Sequence, residues 1–196
     1  MGALYLDDQI VFGTVGSGGI EAATIQSSNK YFGDGTVTAE SSITSSMTMA
    51  YKALSTVINT GITASGYSPD NLVCFMHPKP FNDLLNDSSI VRFLQNPVAS
   101  GDYRDALIAR GVIPLLNGSE IRRSTLVKTG TGSPSTVTTY HTYVYKKGLS
   151  VAMAASRDLM IETFRDIKLN STFTKSHIDY GAQVLHPNSI GVIYTA

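Results

Sequence analysis

Leu159-Met-Ile-Glu-Thr-Phe-Arg-Asp-Ile-Lys-Leu-Asn-Ser-Thr-Phe-Thr-Lys-Ser-His-Ile-Asp-Tyr180, continued by Gly-Ala-Gln-Val-Leu-His-Pro187, is long, extended and mostly polar. The segments Thr139-Tyr-His-Thr-Tyr-Val-Tyr-Lys-Lys147 and Leu149-Ser-Val-Ala-Met153 alternate in the same manner, with Gly148 and Arg157-Asp158 as breaks. Strands this long and polar offer unpaired backbone edges that a monomer avoids presenting. Chains that keep such edges cover them with copies of themselves. The last third of the sequence therefore predicts an assembly subunit before it predicts an enzyme.

Composition points the same way. The 196 residues suffice for one core or two small lobes. Charged residues make up 15% of the chain, against about 25% in an ordinary globular protein. Ser, Thr and Gly carry the solubility instead, and burying a hydroxyl in a protein contact costs far less than burying an ion. The 15 basic and 15 acidic residues cancel, so no global field draws the chain to nucleic acid or membrane. Arg122-Arg123 and Lys146-Lys147 read as solvated strand faces. No apolar run approaches the roughly 18 residues of a membrane helix, and the first residues show no basic-then-apolar export signal. The single cysteine, Cys74, lies in the apolar run Leu72-Val-Cys-Phe-Met76 and reads as a small core residue. Asn86-Asp-Ser88, Asn117-Gly-Ser119 and Asn170-Ser-Thr172 fit the glycosylation pattern by chance.

Leu4 to Phe12 looks like the end of a helix stopped by Gly13, followed by a glycine- and serine-rich loop to Gly19. Ile20 to Ala39 is irregular, with a turn at Gly33-Asp-Gly35. Ser41 or Ser42 is positioned to cap a helix whose apolar face is Ile43, Met47, Ala50, Leu54, Val57 and Ile58, closed by Gly61. Leu72 to Met76 predicts a buried strand. His77-Pro-Lys-Pro80 ends it, because proline fixes its own φ and biases its predecessor towards extended geometry. A short helix through Phe81, Leu84 and Leu85 follows, then an apolar cluster from Ile90 to Leu94. Asp102 caps a further predicted helix ending at Gly111. Val112-Ile-Pro-Leu-Leu116, Asn117-Gly118 and Ser119 to Ser124 carry a strong hairpin signal, with the proline marking an edge strand. Lys128 to Ser135 reads as an exposed, mobile loop.

Within the opening stretch, apolar residues hold odd positions at Ile167, Leu169 and Phe173, then even positions at Ile178, Tyr180, Ala182 and Val184. A strand swaps its buried face only through a bulge, a bend or a change of sheet. The expectation is that this strand leaves one lobe and enters another between Phe173 and Ile178.

No motif for bond-making chemistry is present. Gly16-Ser-Gly-Gly19 and Gly130-Thr-Gly132 complete neither a dinucleotide nor a phosphate-loop pattern. His77, His141, His177 and His186 lack the spacing of a zinc pair, although His177 and His186 could approach across strands. Asp7-Asp8 point to different sides of a helix, and no serine carries a nucleophile-elbow pattern. No catalytic, cofactor-binding or metal-ligating residue is expected.

The ordered series Phe75-Met-His-Pro-Lys-Pro-Phe-Asn-Asp-Leu-Leu85, Ala109-Arg-Gly-Val-Ile-Pro-Leu-Leu-Asn-Gly-Ser-Glu-Ile-Arg-Arg-Ser124, Tyr143-Val-Tyr-Lys-Lys-Gly-Leu-Ser-Val-Ala152, Arg157-Asp-Leu-Met-Ile-Glu-Thr-Phe-Arg-Asp166 and Tyr180-Gly-Ala-Gln-Val-Leu-His-Pro187 resembles the major capsid proteins of tailed phages and related viruses. The resemblance runs over roughly Leu72 to Tyr194. It implies an α+β, HK-ninety-seven-like capsid fold, with an axial lobe and part of a peripheral lobe of long strands. The implied division is 1–35, a remnant of the spine helix and linker; 36–137, the axial domain; 138–177, peripheral strands; and 178–196, return strands to the axial domain. Members usually begin with an amino-terminal arm, an extended loop and a long spine helix. This chain has no room for them intact, so Met1 is expected to begin a truncated or partial product, and no cross-linking lysine is carried over.

The resemblance implies a structural subunit of an icosahedral phage capsid, found in the virion and in the host cytoplasm during assembly. Its implied partners are copies of itself in pentamers and hexamers, portal and scaffold proteins, and enclosed double-stranded DNA, with no membrane. The candidate subunit contact is the loop Lys128, Thr129, Gly130, Thr131, Gly132, Ser133, Pro134 and Ser135, which is long, polar and free of core anchors. An encapsulin-like compartment shell keeps the same fold and changes the cargo. A monomeric β-rich ligand-binding module, with Tyr140, Tyr143 and Tyr145 as its aromatic site, is the alternative of another class.

Overall fold

A computed structural model describes residues 25–36, 42–95, 112–116, 119–127 and 129–196. Its body is a seven-stranded mixed sheet in the order β1-β9-β6-β2-β4-β3, with β5 joined to β6. The strands are β1 (Lys30–Phe32), β2 (Leu72–Met76), β3 (Val112–Leu116), β4 (Ser119–Arg123), β5 (Thr129–Thr131), β6 (Thr138–Lys146) and β9 (Ile190–Thr195). Two further strands, β7 (Val151–Asp166) and β8 (Ser171–Val184), form a separate antiparallel pair. The chain is thus α+β.

Both faces of the body sheet are covered, and alternation along the central strands divides the apolar residues between two cores. Leu72, Cys74 and Met76 of β2, Ile121 of β4, Val144 of β6 and Ile193 of β9 face one core. Helical residues Ala53, Leu54, Phe81, Leu84 and Ile90 close that side. Val73 and Phe75, Tyr143, and Ile190, Val192 and Tyr194 face the other core, which Ile25, Ile43 and Val127 cover from loops. A strand buried on both faces reads as a continuous apolar run. That is why Leu72–Met76 and Ile190–Thr195 are buried at every position. Cys74 is a free thiol in the first core, and burial pushes its ionisation far above the ordinary thiol value.

The helix expected from Ile43 starts later. It runs from Tyr51 to Thr56 and continues as a π-helical turn over Val57–Ile62. Thr44, Ser45 and Ser46 precede it in a local turn, where the Met47 amide donates to the Thr44 carbonyl at 3.1 Å. The Thr44 and Ser46 hydroxyls lie 3.3 Å apart in the same turn. The next residues pair across the fold: the Ala50 amide donates to Gly33 O (2.9 Å) and the Ala196 amide to Met47 O (2.8 Å). The helix amide of Tyr51 is met by the Asp87 carboxylate at 3.1 Å, a partner far along the chain. Ile43 is fully buried, in the second core. Gly61 lies inside the π-helical turn rather than beyond it.

His77-Pro-Lys-Pro80 begins a helix over Pro78–Asn86 as expected, and the His77 ring accepts the Lys79 amide at its start. A second helix spans Ser88–Gln95. β3 and β4 form the predicted antiparallel pair. The segment 30–32, expected to be irregular, is β1, parallel to β9. The Gly33–Gly35 turn is present, with Gly35 at φ +90° and its amide donating to Phe32 O. The expected elements at 4–12 and 102–111, and the Asn117-Gly118 turn itself, lie outside the described residues.

The expected division at residue 138 is corrected by strand pairing. β6 hydrogen-bonds β9 and β2, so Thr138–Lys146 belongs to the body sheet. The paired arm begins only at Val151 and ends at Val184, which keeps Ile178–Val184 in the arm rather than in the body.

Gly191 reports on the packing between β9 and the helical layer. A Cβ there would sit 2.3 Å from Val57 Cγ1, a stiff β-branched side chain. Gly191→Ala is expected to destabilise the body by about 1–3 kcal/mol, as overpacking does. At Gly181 of β8 a Cβ meets nothing within 4 Å, so Gly181→Ala is expected to stay within about 0.5 kcal/mol. Urea unfolding of the two variants checks the contrast.

Candidate assembly surface

The strands β7 and β8 pair only with each other among the described residues. At about 3.3 Å per residue, the 16 residues of β7 span up to about 50 Å. Residues 160–165 and 172–176 are exposed on both faces of this ribbon. A two-stranded sheet in water is marginal by itself.

Its root is tied to the body. The turn Lys146–Ser150 passes through Gly148 at φ +77°. The buried Ser150 hydroxyl accepts the Lys146 amide at 2.9 Å and lies 2.6 Å from the Ser189 hydroxyl. Ser189 in turn donates to His186 O at 2.7 Å, which leaves Ser150 as donor between the two hydroxyls. The Leu185 amide donates to Ser150 O, joining the end of β8 to the start of β7. Val151 and Val184, partners in register, pack on the second core.

The far end is a braced turn. Asp166 Oδ1 accepts the amides of Lys168 (2.9 Å) and Leu169 (3.3 Å). Arg165 donates to Asn170 Oδ1 at 3.1 Å, and Asn170 adopts φ +45°, a conformation asparagine tolerates. Ile167 and Leu169 therefore crown the turn rather than lie in a strand, and two of the three residues of the odd-position pattern disappear as a strand signal. Arg157-Asp158 is no break either. β7 runs through it, and the register shifts on both sides of the Arg157↔Asp179 pair. The expected passage into another lobe between Phe173 and Ile178 does not occur, because β8 stays on β7 throughout. Bulging in β7 opposite the end of that interval absorbs the change of phase.

The two faces of the outer ribbon differ. Phe164 lies opposite Phe173, with ring centroids 5.3 Å apart, and Glu162 lies opposite Lys175 on the same face, which Met160 shares. The reverse face carries Thr163 and Arg165 opposite Thr174 and Thr172, with Ile161 nearby. Ile161 is 64% exposed and Phe164 56%.

The candidate contact loop is more structured than its composition suggests. Thr129–Thr131 is β5, paired with Tyr140, Thr139 and Thr138; Lys128 lies outside the described residues. The loop is also anchored. The Ser133 amide donates to Ile43 O at 2.7 Å, and a Cβ on Gly132 would lie 2.6 Å from that same oxygen. Ser133, Pro134 and Ser135 remain exposed. Beside them is an open groove of about 460 Å³ lined by Ser45, Lys79, Pro134, Thr136, Thr138 and Tyr140. The Lys79 ammonium contacts the Ala196 carbonyl there and lies 5.3 Å from the Tyr140 ring centroid.

The three tyrosines do not converge on a ligand. Tyr143 is buried in the second core and Tyr145 stacks on Phe75 at 6.0 Å, while Tyr140 projects from the opposite face of β6 against His77. His141 bonds the Tyr143 hydroxyl at 3.0 Å, and His186 lies near Tyr67. Among the described residues, no three His, Cys, Asp or Glu side chains gather as a metal site, and no helix is long and apolar enough to cross a membrane.

No protein-family model matches the sequence, and no curated protein does. Solved structures do match. The chain is similar to the capsid of Ralstonia phage GP4, at TM-score 0.67 and 14% identity, over 88% of this chain and 53% of that one. It is similar to the capsid of the cyanophage P-SCSP1u, at TM-score 0.55 and 16% identity, over 74% of this chain and 46% of that one. It is also similar to the holo-SrpI encapsulin complex from Synechococcus elongatus, at TM-score 0.50 and 11% identity, over 98% of this chain and 60% of that one. The fold is that of the HK-ninety-seven-like capsid proteins, and the chain spans about half the length of the phage chains it matches.

The hydroxyl bridge at the arm root should be stabilising. Ser150→Ala removes the acceptor of the Lys146 amide and the partner of Ser189, and is expected to cost about 1–3 kcal/mol. Hydrogen exchange should show faster opening of the Lys146 and Leu185 amides, and urea unfolding should give the loss in stability.

Proposed function

We propose that this chain is a structural subunit of a phage capsid, assembling with copies of itself into a closed shell around double-stranded DNA. The observation that carries the reading is the β7–β8 arm, a ribbon whose outer part is exposed on both faces and whose root is fastened to a body with two covered cores. The phage capsids of the same fold support it. In this reading the chain does no bond-making chemistry. Body domains meet head to tail in rings of five or six, and arms link the rings into a surface. Many modest contacts made together hold the shell. Portal and scaffold proteins are the expected accessory partners, and the virion the destination after assembly in the host cytoplasm.

Within the rings, the exposed part of the candidate loop, Ser133–Ser135, and the groove beside it form the proposed contact between bodies. The loop is not dispensable as a whole, because the Ser133 amide holds the Ile43 carbonyl, the Gly132 amide bonds Val137 O, and β5 extends the sheet. The pair Ser135→Glu and Thr136→Glu changes only exposed side chains. It is expected to reduce ring formation several-fold while leaving the unfolding free energy from urea titration within about 0.5 kcal/mol of wild type. Undiminished ring formation would remove the loop from the contact.

Electron microscopy of the full-length gene product tests the main reading. Closed shells containing DNA are expected; a product that stays monomeric at high concentration by light scattering would overturn it. The encapsulin match over 98% of the chain favours a second reading, a shell around an enzyme. Absorbance and mass spectrometry of purified particles separate nucleic acid from protein cargo.

A further inference from the structure

One wall of the groove beside Ser133–Ser135 is held by an imidazole. His77 follows β2 and opens the Pro78–Asn86 helix, where its Nδ1 accepts the Lys79 amide at 3.3 Å. The same imidazole lies against Tyr140, with ring centroids 4.6 Å apart and planes 32° from parallel. Tyr140 and Lys79 both line the groove, so the residue that His77 leans on and the residue that it caps belong to one wall. An Nδ1 that accepts a hydrogen bond carries no proton. The arrangement therefore requires the neutral imidazole, with its hydrogen on Nε2.

We propose that His77 is a pH switch for the groove: its neutral side chain holds Tyr140 and the start of the helix together, and protonation releases both. The proposal rests on the reading of this groove as a contact between bodies and adds the regulation of that contact. Protonation puts a hydrogen on Nδ1 facing the Lys79 N–H, which turns the bond into an encounter of two donors. It also places a cation at the positive end of the helix dipole. The groups around the imidazole do not offset that charge. Lys79 is itself a cation, and Arg123, paired with Met76 at the end of β4, lies over Phe81. His141, on the neighbouring strand β6, is engaged with Tyr143 and Tyr194. Among the described residues no carboxylate is bonded to the imidazole. The Tyr140 face attracts cations, but the Lys79 ammonium already stands 5.3 Å from its centroid. Burial acts in the same direction and holds the His77 ionisation below the ordinary imidazole value. The contribution of the neutral form is thus complete above about pH 6.5 and is lost as the pH falls below it towards the lowered value. Subunits joined through the groove are favoured near neutrality and loosened in acid.

Long-range proton–nitrogen NMR of this chain reads the switch directly. At about pH 7.5 the His77 hydrogen is expected on Nε2, and the titration midpoint is expected below that of a blocked histidine peptide. A hydrogen on Nδ1, or a midpoint at or above the peptide value, would overturn the proposal. In a second measurement, sedimentation of the full-length gene product should show at least a fivefold loss of subunit rings between about pH 7.5 and about pH 5.5. His77→Asn keeps an acceptor at the start of the helix and cannot titrate. Its yield of rings is expected to stay within twofold over the same range, while His186→Asn should respond as wild type does. An acid response undiminished in His77→Asn, or none in wild type, would sink the switch and leave the groove contact standing. If no rings form at any pH, the contact reading falls, and the tautomer and titration midpoint alone decide whether His77 is the latch.

Discussion

The body sheet must be covered on both faces, and the rest of the molecule follows from that demand. β6 lies between β9 and β2, sending Val144 into one core and Tyr143 into the other. Short helices close the first side. Loops close the second, with Val151 and Val184 at the arm root adding to the cover. Apolar side chains are thus concentrated in the body, and the outer arm is left with hydroxyls and a few large residues that stay exposed among the described residues. A lone ribbon of that kind is marginal in water, because two strands cannot bury an apolar face against each other. The arm and body therefore answer different conditions: the central strands of the body are covered on both faces, and the outer arm is exposed on both.

The parts of the fold legible in the sequence are those whose signals are local. Leu72–Met76 ends where His77-Pro78 forces a change of geometry, and the structure ends β2 there. Gly148 marks the turn into the arm because only a residue without a Cβ readily takes its positive φ. Other features depend on partners distant in sequence. The start of the first helix is set by Asp87 meeting Tyr51, and no reading of Ser41 to Ala50 contains that carboxylate. Strand β1 exists because β9 lies beside it. At the crown, Asp166 and Asn170 build the turn, yet Ile167 and Leu169 kept an alternating pattern that concealed it. The same pattern suggested a strand changing lobes, when the register break lay in its partner.

The candidate contact surfaces were only half legible for a related reason. Composition identified Lys128–Ser135 as polar, but polarity says nothing of the hydrogen bond by which Ser133 is held to Ile43. Similarly, three tyrosines on β6 suggested an aromatic site until the pleat sent them to different faces. Exposure is a property of what remains uncovered after the whole chain has packed. It cannot be inferred from a segment whose covering elements are unknown.

The low charge of the chain gains its meaning from this geometry. A surface of threonine and serine with scattered apolar residues loses little when water is displaced, because few ions need be stripped of hydration. Contacts made from such groups are individually weak and mutually similar, which suits the proposed shell, where misplaced subunits must detach before closure. Braced turns matter more than contact strength under those conditions. A crown fixed by Asp166, Arg165 and Asn170 is already ordered in the single chain, so little conformational entropy remains to be lost there in any contact.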